Sequence, residues 1–218
     1  MTTGRPRLVL VHGAATGPRV WDRMLPHLAG VEVSVVRRPC SGDLVRELDW
    51  LAPQIEGGWV VGMSGGATLG LALAAGRVPL AGAVLHEPAV GSLVPGLLAP
   101  MAAAFEDGGT ASFARTLYGG AWSPALLDGP VDEDVTAREL AMFRAFEPGP
   151  PSATAGRVVV TVGERSPAVR HASVEALRSA YGVEVRAVPG ATHFVAHEQP
   201  AVFARIVLAV IAGDDRPS

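Results

Sequence analysis

Short apolar runs rich in β-branched residues alternate along this chain with longer stretches of helical character, and no other feature constrains the fold as tightly. The runs are RLVLVH (7–12), VEVSVV (31–36), GWVVGM (58–63), LAGAVLH (80–86), RVVVTVG (157–163) and VEVRAV (183–188). Continuously apolar strands of this length are buried on both faces, the condition of a parallel sheet covered by helices. The intervening stretches 18–29, 43–56, 65–76, 168–181 and 198–212 predict helices. The order is therefore β-α-β-α-β-α-β, a long gap, then β-α-β-α, which reads as an α/β fold of about six mainly parallel strands.

The gap, residues 89–156, is longer than a simple crossover requires, and its pattern is helical: VPGLLAPMAAAFEDG, ASFARTLYGG and DEDVTARELAMFRAFEPG, broken by Gly, Pro and Asp. It predicts a mobile helical cap inserted over one edge of the sheet, with residues 1–88 and 157–218 forming the core. Apolar side chains between Leu97 and Phe146, with Met101, Phe105, Phe113, Trp122 and Phe143 among them, are expected to roof an apolar cleft.

The chain has 218 residues, 49% of them apolar and 18% charged, enough for one well-buried core. Its 18 basic residues are all arginine, scattered among 21 acids, so no basic stripe suited to phosphates is present and nucleic acid is not expected as a partner. The opening MTTGRPRLVLVHG holds too short an apolar run for a secretory leader or a membrane span, which points to the cytoplasm. A single cysteine, Cys40, excludes an internal disulfide and any multi-cysteine metal site. Disorder is expected only at the two chain ends. The sequence leaves the oligomeric state open.

At the end of the third run, Gly62, Ser64 and Gly66 satisfy G-x-S-x-G. Roughly one shuffled chain of this composition in six would carry that pattern. Its position supplies the specificity: acyl chemistry needs the serine at the tip of a tight strand-to-helix turn, with neighbours small enough for the helix to approach the strand. An ordinary structural turn is the competing reading. The amide of Gly65 would point where an oxyanion forms, and the glycine-containing loop after the first run, VHGAATG, can supply a second amide, most simply that of Ala14. His12 is expected to hold that loop by hydrogen bonds. His193, in PGATHF between the last strand and the last helix, returns an imidazole to the same sheet edge and is the candidate base. His27 and His171 fall on predicted helices, His197 lies beside the last one, and His86 ends a strand.

These segments together resemble the α/β-hydrolase superfamily over nearly the whole chain: the His-Gly loop at 12–13, the elbow at 62–66, the cap insertion and the PGATHF loop. The resemblance implies a sheet that begins at the family's third strand, a serine nucleophile at Ser64, and no metal or organic cofactor. It also exposes a departure. Many relatives carry an aspartate three residues past the glycine that ends the penultimate strand, where VTVGERSP places Ser166. Either another carboxylate orients His193 or part of the hydrolytic machinery is lost. Glu87, in VLHEPAV at the end of the fourth run, is the first candidate and Glu164 the alternative; each has a structural explanation too, as a loop-bonding group or an arginine partner. Cys40 is expected to be an inert thiol, and Arg37 and Arg38 a solvated surface pair, with a substrate carboxylate as their functional alternative.

The sequence thus predicts a hydrolase of esters, thioesters or lactones of a hydrophobic small molecule, working through an acyl-enzyme. A lyase or cyclase on the same scaffold, or a ligand-binding module, are the alternatives.

Overall fold

The computed structural model describes residues 4–214. The expectation about disordered ends concerns residues outside that range.

Six parallel strands form one sheet: β1 (Arg7–Val11), β2 (Glu32–Val36), β3 (Trp59–Met63), β4 (Gly82–His86), β5 (Arg157–Gly163) and β6 (Glu184–Val188). They lie in the order β2-β1-β3-β4-β5-β6, parallel throughout. Each strand begins and ends within two residues of its sequence expectation. The central β3 and β4 are buried along their whole length, as their unbroken apolar runs require. Edge strands β2 and β6 carry exposed positions, Glu32 and Ser34 in one and Ala187 in the other.

The chain winds from β1 outward to β2, then crosses to β3 on the other side of β1. Strand order reverses there, and the loops after β1 and β3 come together at the carboxyl ends of the strands, where ligands of such sheets bind. Helices α1 (Leu44–Ile55) and α2 (Gly65–Ala75) pack side by side against β1, β3 and β4, and α5 (Ala168–Tyr181) covers β5 and β6. Between β4 and β5 lie α3 (Ala99–Tyr118) and α4 (Glu133–Arg144), which pack on one another. Gly108 and Gly109 are non-helical, with Gly109 at φ +61°, so α3 is two helical pieces joined by a glycine kink.

Two helix expectations need correction. Residues 18–29 form two short 3-10 turns, Pro18–Trp21 and Leu25–His27, in place of one helix. Pro26 removes a backbone donor and disfavours helical geometry at Leu25, while burial of Trp21 and Met24 fixes the segment by packing. The last helix is also divided, into α6 (Val195–Glu198) and α7 (Pro200–Ile211), because Gln199 before Pro200 leaves the helical region at φ −133° and ψ 52°. Among the described residues no helix is long and apolar enough to cross a membrane.

Candidate active site

Among the described residues four non-glycines have positive φ, Ala15 (52°), Cys40 (50°), Ser64 (56°) and Glu87 (48°), and each lies in the loop that follows one of the first four strands. Left-handed backbone is disfavoured for residues with a Cβ and is retained where surrounding structure enforces it. Its confinement to one edge of the sheet marks that edge as the place where the fold sacrifices local comfort for side-chain placement.

Ser64 has φ 56° and ψ −123° at the junction of β3 and α2, held by its amide donating to the His86 carbonyl at 2.9 Å. The turn closes only because its flanks lack side chains. A Cβ on Gly66 would lie 2.0 Å from the Val11 oxygen, and one on Gly62 2.5 Å from the Gly66 oxygen, both backbone atoms that cannot yield. The same close packing brings the two candidate oxyanion donors together, since a Cβ on Gly65 would lie 3.2 Å from the Ala14 nitrogen. Among the described residues neither amide donates a hydrogen bond.

The loop bearing Ala14 is braced from several sides. Thr16 Oγ1 donates to the Gly13 carbonyl at 3.0 Å, Tyr118 Oη to the Ala14 carbonyl at 2.8 Å and Trp122 Nε1 to the Ala15 carbonyl at 2.8 Å. His12 Nδ1 pairs with the Gly13 carbonyl at 2.9 Å, and burial, with Arg38 close by, lowers its pKa to about 3, so it stays neutral. Arg38 is not the surface group expected from the sequence. Only 3% exposed, it donates from Nε to the His12 carbonyl (3.0 Å), from Nη1 to Glu47 (3.1 Å), and from Nη2 to Glu139 (2.5 Å) and the Gly13 carbonyl (3.3 Å). Its charge is consumed in tying the loop and α4 to the core. Arg37, in contrast, is exposed and pairs with Asp128. Cys40, partly buried beside this cluster, has its thiol pushed up to about 12, chiefly by burial, and has little thiolate character.

His193 follows β6 and is buried. Its Nδ1 lies 2.7 Å from Glu87 Oε2, while its Nε2 is buried with no hydrogen-bond partner among the described residues. With Nδ1–H donating to the carboxylate, Nε2 presents its lone pair, the tautomer a general base needs. Burial and the Arg170 charge outweigh the pull of Glu87 and lower His193 to about 4.

Glu87 reaches the imidazole because β4 and β5 are in register at His86 and Thr161. Its amide donates to the Thr161 carbonyl, and its Oε1 accepts from the Gly163 amide at 3.0 Å and from Ser166 Oγ. Burial alone would raise this carboxyl; the His193 hydrogen bond and the electrostatic pull of His86, His193 and the Arg170 guanidinium more than reverse that and hold it well below the usual carboxylate range. Ser166, at the position where relatives carry their acid, thus orients a carboxylate contributed by the neighbouring strand. Glu164 turns away: its Oε2 accepts from the Gly190 amide at 2.8 Å and closes the turn before the histidine loop. His86, with Nε2 3.1 Å from the Thr192 carbonyl, steadies that loop from below.

The ring of Tyr118 stacks on His193 with centroids 5.6 Å apart, and its hydroxyl lies beside those of Ser64 and Thr16. Ser64 and His193 therefore meet the same side chain at the same rim, without a hydrogen bond between them. Above Ser64 a narrow cavity of about 30 Å³ is walled by Ala14, Gly65 and Glu87 and roofed by Met101, Phe113 and Phe143. Phe105 is not among its walls, and Trp122 braces the loop instead. The cavity is not wholly apolar, because Arg170 opens onto it. The sequence reading missed Arg170, although a basic residue in the first turn of a helix, where the macrodipole disfavours it, was a visible signal. Among the described residues no group of three or more His, Cys, Asp or Glu side chains could hold a metal ion.

The family model described as the alpha/beta hydrolase family matches residues 8–206. Among curated protein sequences none matches the chain. A lipase-esterase related protein from Clostridium acetobutylicum superposes with a TM-score of 0.74 at 14% identity, covering 97% of this chain and 95% of that one. The enol-lactonase from Burkholderia xenovorans gives 0.73 at 17% identity, with 96% and 92% covered. A bottromycin epimerase, solved in complex with bottromycin A2, gives 0.72 at 18% identity, with 97% and 92% covered. At such identities the superpositions speak for the fold alone.

Proposed function

The chain belongs to the alpha/beta hydrolase family, and from that premise we propose that it is a serine hydrolase that cleaves an ester, thioester or lactone of a small, largely hydrophobic molecule through an acyl-enzyme. The observation that carries this reading is the His193–Glu87 pair: a neutral imidazole held by a carboxylate at 2.7 Å, its other nitrogen unpartnered, stacked on the tyrosine whose hydroxyl lies beside a strained serine. A buried polar atom without a partner is disfavoured unless the site uses it.

In this mechanism Ser64 Oγ attacks the carbonyl carbon and His193 Nε2 takes its proton. The amides of Gly65 and Ala14 stabilise the oxyanion, each contributing about 10²–10³ in rate. Collapse of the intermediate breaks the bond to the leaving group, which receives the proton from His193. Water then repeats the sequence on the acyl-enzyme and releases the acid. Glu87 holds the tautomer and stabilises the imidazolium. Residues 89–156 act as the cap, their apolar side chains excluding water from the acyl group. The bond from Ser64 to His193 forms when substrate arrives, since catalytic hydrogen bonds are often long in free enzymes.

The missing Ser64–His193 contact favours one second reading, proton transfer by His193 without a covalent step; a bottromycin epimerase shares the fold. A fluorophosphonate probe separates the two. Stoichiometric labelling that Ser64→Ala abolishes, together with loss of p-nitrophenyl butyrate cleavage, is the expected result. A folded protein that stays unlabelled overturns the hydrolase reading.

A further inference from the structure

Among the described residues two arginines are deeply buried, and they are treated very differently. Arg38 has its donors spent on two carboxylates and two carbonyl oxygens. Arg170, in the first turn of α5 and 6% exposed, has one charged neighbour among the described residues, Glu87, whose Oε2 lies 3.6 Å from Nε, too far for a hydrogen bond. That carboxylate is already occupied by His193, Gly163 and Ser166. The Arg170 guanidinium makes no hydrogen bond among the described residues, and Arg170 lines the cavity that also holds Ser64.

Burying a guanidinium without filling its donors is costly, and a purely structural arginine would be satisfied as Arg38 is. The chemistry of the site sharpens the anomaly. Acylation requires a positive charge to form on His193, and the adjacent guanidinium opposes it; Arg170 is the largest cause, after burial, of the low basicity of that imidazole. A negative group from the substrate would remove both penalties, filling the unused fork and offsetting the charge that resists proton transfer. The planar fork matches a carboxylate in bidentate geometry.

We propose that Arg170 is the binding group for a carboxylate on the substrate itself, so that the enzyme acts on half-esters or on carboxylate-bearing lactones. Because Arg170 and Ser64 line the same narrow cavity, the carboxylate and the scissile carbonyl belong to one small molecule and lie a few bonds apart. The apolar roof of Met101, Phe113 and Phe143 then packs the short chain between them.

This inference rests on the ester-cleaving reading but has a readout independent of it. The kinetic arm measures kcat/KM for mono-p-nitrophenyl succinate, glutarate and adipate and for 4-acetoxybenzoate, each beside its methyl-capped neutral twin. At least one free acid should be preferred by about 30-fold or more over its twin. Arg170→Met should collapse that ratio toward one, and Arg170→Lys, which keeps the charge but loses the fork, should restore part of it. If no free acid is preferred, or if Arg170→Met slows both members of each pair by the same factor, Arg170 serves only to position Glu87 and the proposal fails. The binding arm uses calorimetric titration of succinate, glutarate and adipate into the wild type and both variants, with melting curves to verify folding. Saturable binding of at least one diacid that Arg170→Met loses supports the site even when fluorophosphonate leaves Ser64 unlabelled; no binding of any diacid to the wild type overturns it.

Discussion

Replacing Glu87 by Gln exchanges one oxygen for an NH2 group and forces a conflict the site cannot resolve. Both carboxylate oxygens of Glu87 accept: Oε1 from the Gly163 amide and Ser166, Oε2 from His193 Nδ1. An amide offers one acceptor. If its oxygen stays on Gly163, whose N–H is fixed in the backbone, its NH2 faces His193 and drives the proton to Nε2, the tautomer that cannot accept from Ser64. If the amide flips, two donors confront each other at Gly163 in a buried site. The first arrangement is the lower in energy, because Ser166 can keep donating to the retained oxygen. Neutralising the acid of a serine protease triad, with geometry intact and the tautomer wrong, lowers turnover by about 10⁴, or about 5 kcal/mol of transition-state stabilisation. Arg170 sharpens the effect here, since its charge beside His193 is no longer balanced. The expectation is a loss in kcat of about 10⁴ on p-nitrophenyl butyrate, with KM little changed. The imidazole nitrogen shifts of His193 should move to the Nε2–H form. A variant that folds and turns over within about tenfold of wild type would refute both the tautomer argument and the role of Glu87.

Acid should act on this protein in two separable ways. The neutral imidazole of His193 persists to about pH 4, well below its ordinary 6.5, so kcat/KM in brief assays should keep its acid limb near pH 4; a limb near 6.5 would contradict the burial and charge argument. Stability behaves otherwise: the unfolded chain protonates His12 and His193 near 6.5 while the folded chain holds them neutral down to about 3 and about 4, so unfolding gains protons as pH falls through that window. Unfolding free energies from urea titrations should therefore drop steadily from pH 7 to pH 4, by a few kcal/mol in total, and a flat profile would count against the assignment. Arg38→Met should strand Glu47 and Glu139 without their shared cation and release the His12 and Gly13 carbonyls, destabilising the fold by about 3–5 kcal/mol in denaturant titrations; a change under about 1 kcal/mol would mean that the cluster contributes little.

Period and punctuation in the sequence determined most of what is local. Unbroken β-branched runs mark the four central strands because only burial on both faces tolerates them, and Gly62 and Gly66 mark the elbow because backbone approaches to 2.0–2.5 Å leave no space for a Cβ. Where the sequence reading failed, a local signal was weighed too lightly, as with Pro26 inside a predicted helix, or the answer depended on distant partners. Nothing near Arg37 and Arg38 distinguishes them, and it is Glu47 and Glu139, from two other segments, that draw one inward and leave its neighbour in solvent.

The carboxylate partner of His193 is the clearest case of what the tertiary structure alone decided. Glu87, Glu164 and Ser166 lie on two neighbouring loops, and the sequence left open whether either carboxylate met His193. The pairing of His86 with Thr161 brings the β4 loop level with Gly163, where an amide and a hydroxyl hold the Glu87 carboxylate against the imidazole, while the turn at Gly190 claims Glu164. The unfilled fork of Arg170 likewise arises only where α5, the β4 loop and α4 converge. Hydrophobic period is written in neighbouring residues and survives any rearrangement of the rest; hydrogen-bond partnership is a property of the space between segments, and exists only once they have been brought together.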